Sequence, residues 1–562
     1  LAVTPANSNY VYLLVGPATG DGTFHGLYRS TNAGSSFSLR NNMPNIMGGE
    51  PDGADDGDQQ EYNMALSVSP TNENILGCGG INLWTSSNGG TSFQFQQRVV
   101  SSLDYYHADI HQLIYHPLNS GILYMCGDGG VYRSSNNGDT WTGLNNSLGI
   151  TQYYKISINQ GIGLDQNILI GGAQDNGTNK RNSGGGGTFQ QIKGADGMDC
   201  FIDPDYLNHY VVSIQNGEFH FSSNAGNNFE FVCDAEEATT KANTFLDLKS
   251  FWVTPVAEIA GSAQEFIIGY TALIKVSRTG SSLYAFEQIS PNELQRGKVF
   301  VKTARGNASR IYYGDRIRSS GENWVWTSTN GGTSFSLILK DTLQPPMTDM
   351  AFATNNGNRV WVTYGGYDAT RKVMFTANGG ANWVNITGSL PNVPVNCIVY
   401  ETNSTDDGVY VGTDIGVFYR NNTLGNWIPF SNGLPVVEVT DLEIHTLGFK
   451  LRAGTYGRGI WETNLYNTCL SNLNLNTSNT DINAPYYFQA GQTISSSAVH
   501  GGDGANVFYT AGSNVMLNIG FRAFGISTNN VIDISTGPCG AGVPSAANGI
   551  TTLNRGKGVL IE

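Results

Sequence analysis

Four polar stretches in this 562-residue chain gather side chains that can hold an ion or a hydroxyl-rich ligand. The run His107-Ala108-Asp109-Ile110-His111 offers two imidazoles and a carboxylate. That set suits a transition metal only if the segment is extended, so that alternate side chains share a face. Asp52, Asp55, Asp56 and Asp58 crowd one loop, with Gly53 and Gly57 between them. Dense hard oxygens on a pliant backbone suit Ca²⁺. Asp175 and Asn176, and then Asp196 and Asp199, put carboxylates and an amide on two further loops, which with His107, Asp109 and His111 are the candidate ligand contacts. All of these residue types also cap turns and bond exposed backbone, and that plainer role stays open for each of them. No cofactor is required by these patterns; calcium is the one they suggest. Several chemistries lack their signature. There is no serine nucleophile elbow, no P-loop and no dinucleotide fingerprint. The glycine run 184–187 is followed by no helix that would cradle phosphate. Arg316 and Arg318 stand together, but no other arginines recur at equivalent positions to clamp a carboxylate.

The elements that must carry these loops are set by an internal repeat. The octapeptide Ser-x-Asn-x-Gly-x-x-Phe/Trp starts at Ser30, Ser86, Ser134, Ser222 and Ser328, with a threonine variant at Thr376. Weaker copies end at Phe189 and Trp427, and 277–284 occupies the place of another. Neighbouring copies lie about 40–56 residues apart, the period of a four-stranded blade in a β-propeller. The octapeptide resembles an Asp box with Asn in place of Asp. In such a turn a small polar residue caps the link between the two outer strands, Gly supplies a positive φ, and the aromatic fills the space between blades. Short apolar strands, often closed by proline, start ten blades, at Leu1, Met64, His111, Tyr154, Met198, Lys249, Lys298, Met350, Asn396 and Asp441.

The expected fold is therefore all-β, propeller blades followed by a small β-stack or sandwich. Residues 151–465 number 315, seven repeats of 45, and read as a seven-bladed propeller. Residues 1–150 then read as the last three blades of an N-terminal ring that is partial here; one ten-bladed ring is the competing count. The last blade shows only three strands, so closure of the seven-bladed ring is expected to draw on 140–150, where Trp141-Thr142-Gly143-Leu144 is the available strand. Alternating segments without the octapeptide make 466–540 the β-stack, and the Ala/Gly/Ser/Asn-rich 541–562 reads as a linker tail. The chain opens at Leu1 inside a strand, as a processed chain or a piece of a longer one would, and four further blades with a leader are expected upstream.

Composition narrows the partners. The formal net charge is −15, charged residues make up only 13%, and no basic stripe is present to neutralise nucleic acid or anionic lipid. No apolar run approaches the ~18 residues needed to span a bilayer. The seven cysteines form no Cys-x-x-Cys pair, which argues against structural zinc. Cys78 and Cys126 each precede an octapeptide serine by eight residues and should occupy matching strands. Cys469 and Cys539 bracket the β-stack segment and are the expected disulfide.

The runs Tyr106-His107-Ala108-Asp109-Ile110-His111, Gly127-Asp128-Gly129-Gly130, Gly172-Ala173-Gln174-Asp175-Asn176-Gly177 and Gly194-Ala195-Asp196-Gly197 resemble secreted Asp-box (BNR repeat) propeller proteins of Bacteroidota. So does the closing Leu451-Arg452-Ala453-Gly454-Thr455-Tyr456-Gly457-Arg458-Gly459, and 469–539 is similar to the β-stack of type IX secretion cargo. The resemblance implies an extracellular or outer-membrane-surface location, export by the type IX machinery, and a fold related to sortilin-type domains and tandem-propeller xyloglucanases. Repeated structural turns with no repeated catalytic constellation point to a rigid scaffold that binds a surface glycan or protein. The alternative is a glycoside hydrolase acting on β-glucan with two aspartates. Gly412-Thr413-Asp414-Ile415-Gly416 looks like the catalytic-aspartate segment of those xyloglucanases, which would make Asp414 one catalytic carboxylate and Asp128 its partner.

Overall fold

Runs of β-branched and aromatic residues, broken by Gly, Pro, Asn and Asp, fold into antiparallel sheets throughout the chain. The computed structural model describes residues 1–466 apart from 17–23, 58, 97–105, 147, 162–165, 183–187, 244–246, 260, 263, 292–295, 305–306, 318, 343–344, 355, 403, 405 and 447, and beyond 466 only strand backbones. It divides into two compact units, Leu1–Ile150 and Thr151–Glu562. The first holds three four-stranded sheets, blades one to three, over 2–41, 65–96 and 110–143. The second holds six more four-stranded sheets, blades four to nine, over 155–193, 197–233, 256–288, 296–341, 347–385 and 395–429. Blade ten, over 439–464, has three strands.

Blades four to ten close on themselves into a β-propeller. The inner strand Val439–His445 of blade ten packs on the inner strand Lys155–Ile158 of blade four. Thr440 Oγ1 donates to Tyr153 O at 2.6 Å, the Tyr153 amide donates to Thr455 O at 3.0 Å, and Gln152 bridges Tyr456. The expectation that 141–144 would complete blade ten is corrected: Thr142–Gly143 instead pairs with Gly130–Ser134 as the outer strand of blade three. The cause is the Trp141 side chain, which is buried in the core between blades two and three and holds its chain there.

Position in the blade explains the sequence texture. An inner strand is flanked on both faces by neighbouring blades, so Gly197–Ile202 is nearly continuously buried. The outer strand Leu283–Gln288 alternates strictly between exposed and half-buried. The octapeptide turns share one hydrogen-bond pattern. Ser328 Oγ donates to Asn330 Oδ1 at 2.8 Å and accepts from the Asn330 and Gly332 amides at 3.2 and 2.9 Å. Ser30, Ser86, Ser134, Ser222 and Thr376 repeat it. Two consecutive residues take positive φ, not the glycine alone: Ala225 at +57° precedes Gly226 at +82°, and Ala33 at +56° precedes Gly34 at +89°. Cys78 and Cys126 both lie on second strands, Leu76–Gly79 and Asn119–Gly127.

One element is absent from the sequence reading, and another narrows a reading left open between stack and sandwich. Ala235–Lys241 forms the one α-helix among the described residues, started by Asp234, whose side chain accepts from the Glu237 amide, and packed through Ala238. Beyond 466 the strands pair mostly in parallel: Asn472, Thr493 and Asn514 align at steps of 21 residues. This is a stack of coils rather than a sandwich. Cys469 and Cys539 lie outside the described residues.

Candidate functional site

The inner strands of the seven-bladed ring surround a cavity of about 190 Å³. Its charged wall is built by irregularities in strand register. Asp199, Asp349 and Asp441 each sit at a register shift between the first and second strands of their blades. Such bulges re-aim a side chain. Here each turns its carboxylate toward the next blade. Asp199 Oδ2 accepts from the Val256 amide of blade six at 3.1 Å, and its Oδ1 from Cys200 at 2.8 Å. Asp349 Oδ2 accepts from Ile398 of blade nine at 3.1 Å, and Asp441 Oδ2 from Ile156 of blade four at 2.9 Å. Lys302 Nζ lies 3.0 Å from Asp349 and Lys155 Nζ 3.4 Å from Asp441. Burial pushes the Asp199 carboxyl up to about 6, against the pull of Lys155 and the Val256 amide. For Lys155 burial acts downward, but Asp441, Asp349 and Asp199 together raise its pKa above the ordinary lysine value. These groups staple blade to blade, so Asp199 is part of the wall and does not stand free at the mouth.

At the mouth, where chains enter inner strands and where second strands turn into third, aromatic and polar side chains meet. Tyr154 Oη donates to Gln174 Oε1 at 2.5 Å and accepts from Trp252 Nε1 at 3.2 Å. Trp252 comes from the loop entering blade six and reaches blade four, with 44% of its surface exposed. Tyr456 of blade ten, 40% exposed, sets its ring 6.3 Å from that of Tyr154. Around this platform Asp196 Oδ1 accepts from the Asp175 amide at 2.8 Å, and the Asp196 amide donates to Gln215 Oε1 at 3.1 Å. The Asn176 carbonyl accepts from Gln191 Nε2 at 2.9 Å. Burial raises the Tyr456 phenol, and Tyr154, Glu438 and Asp175 add to the rise, which places those groups within electrostatic reach.

Blade nine contributes Asp414, whose Oδ1 accepts from Asn396 Nδ2 at 3.0 Å. Beside it the Glu438 carboxyl is raised, first by burial and then by the Asp414 charge. Sequence reading passed over Glu438, Trp252 and Tyr456. Trp252 and Tyr456 stand on blade-entry and inter-strand turns, a position the repeat period does reveal.

The remaining candidates lie in the first unit. His111 Nε2 is 2.8 Å from Asp128 Oδ1, Tyr62 Oη donates to Asp128 Oδ2 at 2.9 Å, and the Tyr62 and His111 rings meet edge to face at 4.8 Å. Asp109, at φ +63°, accepts from Asn63 Nδ2 at 2.7 Å. His107 Nδ1 lies 3.1 Å from Ala108 O, and its side chain packs on Gly129, where a Cβ would collide with it. The His-x-Asp-x-His run is therefore not extended, and its three side chains have separate partners. Asp128 and Asp414 belong to different units. In the acidic loop the Asp55 carboxylate accepts from the Gly49 and Glu50 amides at 2.8 and 3.4 Å, and Asp52 from Ala54 at 3.0 Å. Asp56 is exposed, and Asp58 lies outside the described residues. Among the described residues no three His, Cys, Asp or Glu side chains stand together so as to hold a metal ion, and no helix is long and apolar enough to cross a membrane.

No family model and no curated protein matches the chain. Solved structures do. A GH74 enzyme of Niastella koreensis is similar at 14% identity over 83% of each chain, with a TM-score of 0.21. The GH74 xyloglucanase of Xanthomonas campestris gives 12% identity over 82% of this chain and 90% of its own, at 0.21. YCF48 of Cyanidioschyzon merolae gives 13% identity over 64% and 96%, at 0.30. At such scores the propeller assignment stands on the sheet topology itself.

Proposed function

We propose that this chain is a binding scaffold of the extracellular or outer-membrane surface that takes a glycan at the mouth of its seven-bladed ring. The observation that carries the reading is the platform of Trp252, Tyr154 and Tyr456, flanked by Asp175, Asn176 and Asp196. Sugar rings present apolar faces edged with hydroxyls, and exposed aromatics bordered by carboxylates and amides complement both. The location, and export by type IX secretion, rest on the resemblance of the repeat runs and of 469–539 to secreted Bacteroidota propellers. Isothermal titration against soluble β-glucans, including xyloglucan, tests the site. Trp252→Ala removes an exposed ring, so binding should weaken about tenfold or more, the equivalent of 1.4 kcal/mol, with the thermal unfolding midpoint unchanged. Equal affinity for both proteins would remove this mouth as the site.

The hydrolase reading keeps one observation in its favour: Asp414 stands beside a Glu438 carboxyl whose raised pKa suits a general acid. Released reducing ends that vanish in both Asp414→Asn and Glu438→Gln would replace the scaffold reading with that one.

A further inference from the structure

The outer radius of blade ten breaks the pattern of the ring. Elsewhere the octapeptide of one blade docks on the outer edge of the blade before it. Gly226 of blade five lies against Ile192, Gly332 of blade seven against Ile289, and Gly380 of blade eight against Ile338. Trp383 and Trp427 donate their indole N–H groups to Ile338 O and Ile386 O, at 3.0 and 2.7 Å. Among the described residues blade ten shows no fourth strand, and nothing pairs with the outer edge of Ile460–Asn464. Phe189, the aromatic of blade four that should dock there, is left 43% exposed. Between it and Trp461 lies a cavity of about 270 Å³. Arg452 lines this cavity with its side chain only 2% exposed. Its Nε and Nη2 reach Glu462 at 2.9 and 2.8 Å, and Nη2 also reaches Gln166 O at 2.5 Å, but Nη1 has no hydrogen-bond partner among the described residues. A buried guanidinium N–H without an acceptor is costly. Arg181 lines the same cavity. Two guanidinium groups against the single Glu462 carboxylate leave the cavity net positive.

We infer that the edge of Ile460–Asn464 is a strand-addition site for an extended peptide carrying an acidic side chain. The peptide backbone supplies the missing fourth strand, antiparallel to Ile460–Asn464 as in the other blades. Its carboxylate enters the cavity and accepts from Arg452 Nη1 and Arg181, while its apolar neighbours cover Phe189 and Trp461. The occupant is a second polypeptide with a Glu- or Asp-bearing β-strand, recognised through its backbone and one charge.

The test uses the full chain and three fluorescein-labelled, end-blocked heptapeptides of alternating Thr and Val, whose central residue is Glu, Gln or Lys. Anisotropy should show the Glu peptide binding roughly tenfold more tightly than the Gln peptide, as expected for one charge-assisted hydrogen bond, and the Lys peptide weakest. Hydrogen exchange should slow at the outward-facing Glu462 and Asn464 amides when the Glu peptide is present. Arg452→Met should abolish the preference for Glu over Gln. Because that residue is buried, Asn464→Pro is the second variant. The amides of residues 461, 463 and 465 face Lys450–Thr455, so that of Asn464 faces the open edge. This variant should abolish binding of all three peptides while leaving thermal unfolding near that of the parent chain. Equal affinity for the three peptides, binding undisturbed by Asn464→Pro, or no binding at millimolar peptide would overturn the inference. So would Glu462 and Asn464 amides, the ones facing the open edge, that are already protected in the free protein, or protected only as its concentration rises, since the edge would then be covered by the chain itself or by a second copy.

Discussion

Replacing Asp199 by Asn should make the seven-bladed ring more stable at neutral pH and change little in acid. The Asp199 carboxyl, ordinarily at 3.8, is pushed up to about 6 because burial in the channel wall penalises its charge. The folded state therefore binds this proton more tightly than the unfolded state does. The contribution to stability is full below about pH 3.8 and is lost as pH rises through about 6. At about 1.36 kcal/mol per pKa unit the loss has an upper value of about 3 kcal/mol. Asp199 borders a cavity roomy enough for water, so about 1–2 kcal/mol is the working figure. Asparagine keeps an oxygen for the Val256 amide and carries no charge to desolvate. Urea unfolding followed by tryptophan fluorescence should show matching midpoints for parent and variant near pH 4, and a higher midpoint for the variant at pH 7.5. The chain has two units, so the transition that moves with the substitution is the one to compare. Midpoints displaced by the same amount at both pH values, or a variant less stable at pH 7.5, would refute the assignment of a burial penalty to this carboxylate.

Lys298 and Asp315 form an ion pair at 2.7 Å with both side chains 1% exposed. Lys298→Met should cost about 3–5 kcal/mol, and adding Asp315→Leu should restore most of it, read as urea midpoints. Ala225 holds φ +57° in its octapeptide turn. Ala225→Gly should therefore raise stability by about 1 kcal/mol, seen as a higher thermal midpoint. Ser328→Ala removes the hydroxyl that the Asn330 and Gly332 amides share, and should cost about 1–3 kcal/mol in the same assay.

The blades were legible because their signal is local and repeated. Serine, asparagine and glycine at fixed spacing can satisfy a turn by themselves, and the same bonds recur at Ser30, Ser86, Ser134, Ser222 and Ser328. The helix Ala235–Lys241 was missed because seven residues carry too little periodicity to oppose an all-β composition, although Asp234 and Glu237 mark its start. The mouth was half legible. Asp175, Asn176 and Asp196 were read from polar loops, but loops that are polar beyond need say nothing about the aromatics between them. Trp252 reaches Tyr154 across 98 residues of chain. Only the closed ring brings those two together. Asp199 was misplaced for a related reason. It stands three residues after Asp196 and reads as part of the same loop, yet the register shift between Gly197 and Cys200 turns it into the wall. A bulge is set by the fit of one blade to the next, and the local sequence does not display it.

The same fit accounts for how the ring can close with one strand missing. The bonds that join blades ten and four, from Asp441 to Ile156 and from Thr440 to Tyr153, lie at the inner radius. The Asp199 and Asp349 junctions use the same carboxylate-to-amide device at that radius. Charge-assisted bonds to backbone amides in a partly buried channel are among the stronger contacts a propeller can place there. They do not depend on the outer strands at all. The junction between blades ten and four thus forms with only three strands of blade ten among the described residues. Among the described residues the unpaired edge falls at the rim, where Arg452 and Phe189 line a cavity, and the aromatic platform at the mouth does not draw on it.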